Sequence, residues 1–308
     1  MRPRLHPLLL LALVAGICAG VIGGLAWYRA RKTATTADLL RHLPAGEAAV
    51  LFLDVRPFRA AGLLSAVLDG TKISDEPEYR AFVVETGFDS ERDLDAVIIA
   101  FRNEATYFLV LGRFRWDRLR QYAAAQGGSC RNAFCQMPGS TPGRMVSFFP
   151  LRRDLLALAV GKDPWAALQL MQPRSEESFV VPRGVFWLSL PGNLLRDSQA
   201  LPGGVRALVA PLERAQRLLL WAEPQMAGLE ARLEVTCRSE EEAAVLAGQL
   251  SGITRVLAAG VPRQGRQTTG AHLAAMLSRG SFRHSGRRVF GQWPVEYGAL
   301  VTLLGDSL

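Results

Sequence analysis

A chain of 308 residues, 49% hydrophobic and 21% charged, is globular in composition and long enough for one large domain or two smaller ones. Its formal net charge of +8 raises the question of a nucleic-acid or anionic-membrane partner, but Arg2, Arg4, Arg29, Arg31 and Lys32 all flank the first apolar segment, and no Asp or Glu precedes Asp38. Setting those five aside leaves 31 basic against 28 acidic residues, so the basicity belongs to the membrane boundary and no nucleic-acid partner is expected.

Leu8 to Trp27 is an uncharged run of twenty residues. As a helix rising 1.5 Å per residue it spans about 30 Å, the thickness of a bilayer core. A single transmembrane anchor over residues 1–36, linker included, is therefore expected, with membrane lipid as its partner. The competing reading is a cleaved signal, for which Gly24-Leu25-Ala26 is the best small-x-small site, although basic residues follow at once like a stop-transfer flank. A lipoprotein signal fits poorly because Ile17 precedes Cys18. Ala12, Gly16, Gly20 and Gly24 recur every fourth residue and form one stripe of small side chains, a face suited to homodimerisation in the membrane.

Lysine and arginine counts on either side of the span are nearly even and lean slightly toward a cytoplasmic body. Cys130 and Cys135, in Ser-Cys-Arg-Asn-Ala-Phe-Cys, argue the other way. Placed opposite each other across a tight hairpin they would oxidise outside the cytoplasm. A redox motif wants two intervening residues rather than four, and a zinc site wants further ligands that no neighbouring residue supplies. Cys237 stands alone on an apolar strand face as a small core residue.

The body opens with Thr35 and Asp38 in a capping-box pattern over a helix through His42. The apolar run Ala49–Val55 predicts a buried strand, Pro57 opens a helix that Gly70 closes, and a second helix covers about 77–86. Residues 95–101 and 106–114 flank a polar turn as a hairpin. Asp117 is expected to cap the next helix, with Leu119, Tyr122 and Ala123 at helical spacing. Strands at 145–149 and 155–160 precede Asp163-Pro164, read as the opening of a helix stopped by Pro173.

The second half repeats the order. A strand at 185–190 precedes a helix at 204–213, a hairpin at 216–222 and 229–237, and a helix capped by Ser239 and Glu242. Strands at 281–283 and 288–291 follow, then a helix from about Pro294 to Leu304. The expected fold class is α+β, a pseudo-duplicated body of two halves, 37–175 and 176–308, packed as one unit. Each half reads strand, helix, β-hairpin, helix, further strands, helix. Two antiparallel sheets or one continuous sheet satisfy this order.

Chemistry is hard to find. His6, His42, His272 and His284 have no metal-ligand spacing, so no metal and no cofactor is expected, and no phosphate loop, nucleophile elbow or dinucleotide fingerprint occurs. Gly139-Ser140-Thr141-Pro142-Gly143 reads as a turn. Asp54, at the end of an apolar strand, is the best single acid, but Ser189 takes its place in the second half and both types suit a strand-to-helix turn. Arg113, Arg115, Arg118 and Arg120 around Trp116 read as solvated faces, and Trp187, Trp221 and Trp293 as core or rim aromatics.

Residues Leu53-Asp54-Val55-Arg56, Ala124 to Cys135, Ser147-Phe148-Phe149-Pro150 and Gly291-Gln292-Trp293-Pro294 together resemble a family of uncharacterised bacterial membrane-anchored extracytoplasmic proteins. The resemblance covers nearly the whole chain after the linker. It implies bacterial origin, an inner-membrane anchor and a periplasmic body, and it implies no activity, cofactor or catalytic residue. Two functions are compatible with the residues: a non-catalytic module binding an envelope protein, a wall component or an apolar ligand in the crevice between halves, and an enzyme whose site is dispersed in sequence.

Overall fold

The computed structural model describes residues 35–62, 64, 77–173, 181–195, 210–226, 228–260 and 275–296. The expected anchor, with Ala12, Gly16, Gly20 and Gly24, lies outside them. Among the described residues no helix is long and apolar enough to cross a membrane. The chain divides into two compact units, 1–39 and 40–308. In the first, Thr35 and Asp38 exchange the hydrogen bonds of a capping box, at 3.1 Å from the Thr35 N–H and 3.2 Å from the Asp38 N–H. They open α1 (Thr36–Leu40).

The second unit is a mixed α and β body built on one antiparallel sheet of twelve strands. Its first strands are β1 (Ala49–Asp54), β2 (Leu94–Phe101) and β3 (Ala105–Gly112). Next come β4 (Ser129–Arg131), β5 (Phe134–Pro138), β6 (Met145–Arg152) and β7 (Leu155–Gly161). The remainder are β8 (Phe186–Pro191), β9 (Arg217–Gln225), β10 (Gly228–Thr236), β11 (Ser281–Ser285) and β12 (Arg288–Glu296). In space the order is β11-β12-β10-β9-β8-β1-β2-β3-β7-β6-β5-β4. Outward from β1 run β2, β3, β7 and β6; outward from β8 run β9, β10, β12 and β11, and the β4–β5 hairpin extends the first half alone. Strands β1 and β8 join the halves through Val50↔Ser189, Leu51↔Leu188, Phe52↔Trp187 and Leu53↔Phe186. The Phe52 and Trp187 rings stack across this junction, centroids 5.7 Å apart.

One face of the sheet carries the long helices. In the first half α5 (Trp116–Ala125) buries Leu119 and Ala123 against Cys135, Phe148 and Leu156. In the second, α7 (Glu240–Gly260) buries Ala243, Leu246, Ala247 and Leu250 against Leu218, Leu233, Val235 and Val289. The three- and four-residue spacing of those side chains is the helical period. The Ser239 hydroxyl caps α7 by accepting the Glu242 N–H at 3.2 Å, and Glu242 reaches back to the Arg238 N–H, also at 3.2 Å. Shorter helices are α2 (Arg56–Ala60), α3 (Pro77–Thr86), α4 (Ser90–Asp93) and α6 (Gly192–Leu195). Gly87 ends α3 at φ 68°, its N–H bonded to the Val83 carbonyl at 2.8 Å, a left-handed stop that glycine adopts without steric cost.

Four expectations are corrected. Asp117 does not cap α5; it lies inside the first turn and pairs with Arg120, while the cap position is Arg115, with no side-chain bond. Asp163-Pro164 opens only a 3₁₀ turn, Ala166–Leu170, because Ala166, Ala167 and Leu170 must all meet the sheet in a short space. The helix expected from Pro294 is, as far as Glu296, the end of β12, with Pro294 opposite Glu230; β11 pairing stops at Gln292, so the missing proline N–H deprives no neighbour on that side. The helix expected over 204–213 is, in its described part, a 3₁₀ turn, Ala210–Arg214. Residues 65–76, 196–209 and 297–308, which carry the rest of these expectations, lie outside the described residues.

Candidate binding surface

Cross-strand register places one row of side chains on the face opposite the long helices: Ser281, Gln292, Arg232, Trp221, Trp187, Phe52, Ile98, Leu109, Ala157, Phe149. From Trp187 to Phe149 the row is buried. Over β6 and β7 it is covered by the 3₁₀ turn, whose Ala167 N–H donates to the buried Ser147 hydroxyl at 3.1 Å. From Trp221 outward the row turns polar. The neighbouring positions on that face are Arg217, Leu219, Glu223, Glu230, Glu234, Thr236 and Arg288, where the first half carries Tyr107, Ala159 and other buried groups.

Trp221, Leu219, Arg183, Arg217 and Arg288 line a shallow cleft of about 560 Å³ with Glu223 and Glu234. Its charges are organised. The Trp221 indole N–H donates to Glu223 at 2.9 Å, Arg232 bridges Glu223 at 3.5 Å and Glu230 at 2.8 Å, and Arg288 meets Glu234 at 3.3 Å. Arg283 and Arg288 lie over the Phe290 ring, 4.7 and 5.5 Å from its centroid. The result is an aromatic platform in a lattice of both charge signs, chemistry suited to stacking and to hydrogen bonding a polar partner. Two further clefts occur at the margins of this half. One of about 410 Å³ is lined by Trp293 and the Arg279–Glu296 pair, and one of about 510 Å³ lies at the start of α7 beside Cys237. Burial, with some help from Glu242, pushes the Cys237 thiol up, leaving it protonated and unreactive near neutral pH.

Cys130 and Cys135 are disulfide-bonded, directly opposite in the β4–β5 register with Cα atoms 4.1 Å apart. The turn between them uses Asn132 at φ 54°, a conformation asparagine tolerates. Asp54 holds the β1–α2 junction: its carboxylate accepts the Arg56 N–H at 3.1 Å and the Arg56 guanidinium at 2.9 and 2.7 Å. Of the arginine cluster, Arg113 pairs with Asp93 and Arg120 with Asp117, while the Trp116 indole donates to the Arg153 carbonyl at 3.1 Å. Gly139 to Arg144 closes the β5–β6 connection, with Gly139 and Arg144 bonded at 2.8 Å. His42 lies 2.9 Å from the Leu170 carbonyl and His284 sits on edge strand β11. Among the described residues no three His, Cys, Asp or Glu side chains converge as metal ligands would.

Asp93 is the acid that sequence reading passed over. It is buried, capped by the Asp89 N–H at 3.1 Å and paired with Arg92 at 3.0 Å and Arg113 at 3.3 Å. Burial raises its pKa, but these bonds and charges outweigh burial and hold it below the usual carboxylate range. Its role is to lock the α4–β2–β3 corner, where Gly112 passes so close that a Cβ would stand 2.4 Å from the Asp93 carbonyl.

Compared by sequence, the chain matches no protein-family model and no curated protein. Compared by fold, it is similar to TP0453 in three crystal forms, at 12% identity in each. Form III gives a TM-score of 0.49 over 88% of this chain and 98% of that one. Forms I and IV give 0.46 and 0.47 over 87% and 96%. At that level the likeness carries no argument about activity.

Proposed function

We propose that the chain is a single-pass envelope protein, anchored in a bacterial inner membrane by residues 8–27, whose periplasmic body is a non-catalytic binding module. The observation that carries the binding reading is the sheet row that leaves the core at Trp221 and continues as a half-exposed polar face lining a cleft. In this reading the body is pseudo-duplicated, as the matching strand orders outward from β1 and β8 support. The first half uses the face opposite the helices as core, and the second offers the polar cleft on the corresponding face to a partner protein. The Cys130–Cys135 bond supports an oxidising compartment.

A photo-crosslinking residue at Leu219 in cells should trap a discrete partner, while the same residue at exposed Val245 on α7 should trap none. Equal yields from the two positions would remove the face as a binding surface. Placement is tested by fusing a reporter active only outside the cytoplasm after Leu308, with maleimide trapping of Cys130 and Cys135. Reporter activity and thiols protected until reduction are expected; an inactive reporter with freely reactive thiols would put the body in the cytoplasm. We further propose that Ala12, Gly16, Gly20 and Gly24 form a homodimer face in the anchor. Gly20→Ile should abolish self-association of the isolated segment in a membrane reporter assay, and unchanged association would discard that face.

A further inference from the structure

The 3₁₀ turn that covers the first half has two sides. Such a helix has three residues per turn, so residues three apart stand above one another. Ala166, Ala167 and Leu170 face the sheet and are buried. Trp165, Leu168 and Met171, spaced by three, are 52%, 38% and 51% exposed and make one apolar stripe. The stripe is held firmly. Trp165 stacks on Phe134 at 5.3 Å, which is backed by Phe149 at 6.3 Å, and the Trp165 N–H is capped by Asp163 at 2.9 Å. Gln136 donates to the Pro164 carbonyl, also at 2.9 Å.

The same turn receives the start of the second unit, through the His42 contact with the Leu170 carbonyl. Between Trp27, the last residue of the apolar span, and His42 the chain is short: at roughly 3.5 Å per extended residue and 1.5 Å per residue over α1, it reaches about 45 Å at most. A membrane anchor therefore keeps His42, and with it the Leu170 end of the turn, within about that distance of the bilayer surface. Tryptophan at the margin of an apolar patch suits the headgroup zone. Exposed Lys162 precedes the turn, Arg131 is paired with Phe134, which stacks on Trp165, Arg41 adjoins His42, and Arg29, Arg31 and Lys32 follow the span, so the basic residues favour anionic lipid; the exposed Asp163 accepts the Trp165 N–H.

We infer that the Trp165–Leu168–Met171 stripe docks on the surface of the membrane that holds the anchor, seating the body on an anionic bilayer. The inference rests on the anchor reading. To test it, the full-length protein is labelled with an environment-sensitive fluorophore at a single introduced cysteine. The background is Cys18→Ala and Cys237→Ala, with the Cys130–Cys135 bond kept. Val14→Cys reports the anchor, Leu168→Cys the stripe, and Met226→Cys, at a fully exposed turn, the aqueous control. Each variant is reconstituted into vesicles of zwitterionic and anionic phosphatidyl lipid, and quenching by nitroxide-bearing lipid is measured. Positions 14 and 168 should be quenched several-fold more than 226, and Trp165→Asp with Met171→Asp should bring position 168 down to the level of 226. If 14 is quenched and 168 matches 226, the docking is wrong and the anchor stands. If 168 is shielded from aqueous iodide but not quenched by lipid, a second copy covers the stripe and the inference fails. If the protein does not remain with the vesicles, the anchor reading itself is wrong and takes this inference with it.

Discussion

Asp93 shows how a single residue is decided by its surroundings. In Ser-Glu-Arg-Asp nothing singles it out, and its neighbour Arg92 is exposed. Folding brings Arg113 from the far side of the β2–β3 hairpin onto the same carboxylate. Asp93→Asn removes the charge but leaves the arginines and the Asp89 N–H facing a poorer acceptor, so a loss of about 1–3 kcal/mol at pH 7 is expected in urea unfolding. Because the folded carboxyl has the lower pKa, its contribution is present above about pH 4 and is lost as pH falls through the folded value. The gap between wild type and Asp93→Asn should therefore close in acid; a gap that stays constant to pH 2 would contradict the assignment. Cys130 and Cys135 differ from Asp93 in being readable in advance, since only a short hairpin separates them.

Among elements α7 is the most legible, because four apolar residues at helical spacing, Ala243, Leu246, Ala247 and Leu250, and a Ser239 cap agree with each other. Ser239→Ala should cost about 1 kcal/mol by loss of the cap, measured as a shift of the urea midpoint with unchanged slope. Where single residues stood for an element, the reading failed. Asp117 has the right chemistry for a cap but sits two residues past the cap position, and Pro294 suits a helix start as well as it suits an unpaired strand side. In both cases the residue type permits two backbones, and the tertiary neighbours choose. The 3₁₀ turn is another such case: six of the seven residues from Trp165 to Met171 are apolar, yet only Ala166, Ala167 and Leu170 are buried, while Trp165, Leu168 and Met171 are exposed.

At the scale of the molecule the decisive contact is the β1–β8 pair, where Phe52 and Trp187 stack and join the two halves of the sheet. Trp187→Ala should lower stability by about 3–5 kcal/mol in chemical unfolding, more than any surface aromatic change such as Trp165→Ala. A loss below about 1 kcal/mol would mean that the junction is not where the sheet is held together. The sequence by itself determined the local pieces: apolar alternation for the strands, helical spacing for α5 and α7, the hairpin that apposes Cys130 and Cys135, and the α+β class. Those follow from interactions a few residues apart, which a linear reading captures. Only the tertiary structure decided that the strands form one sheet, that its face opposite the helices is core in the first half and turns polar and half-buried from Trp221 onward in the second, and that Arg113 completes the Asp93 pair. These depend on the register between strands distant in the chain, and period-two alternation is the same whichever strand lies alongside.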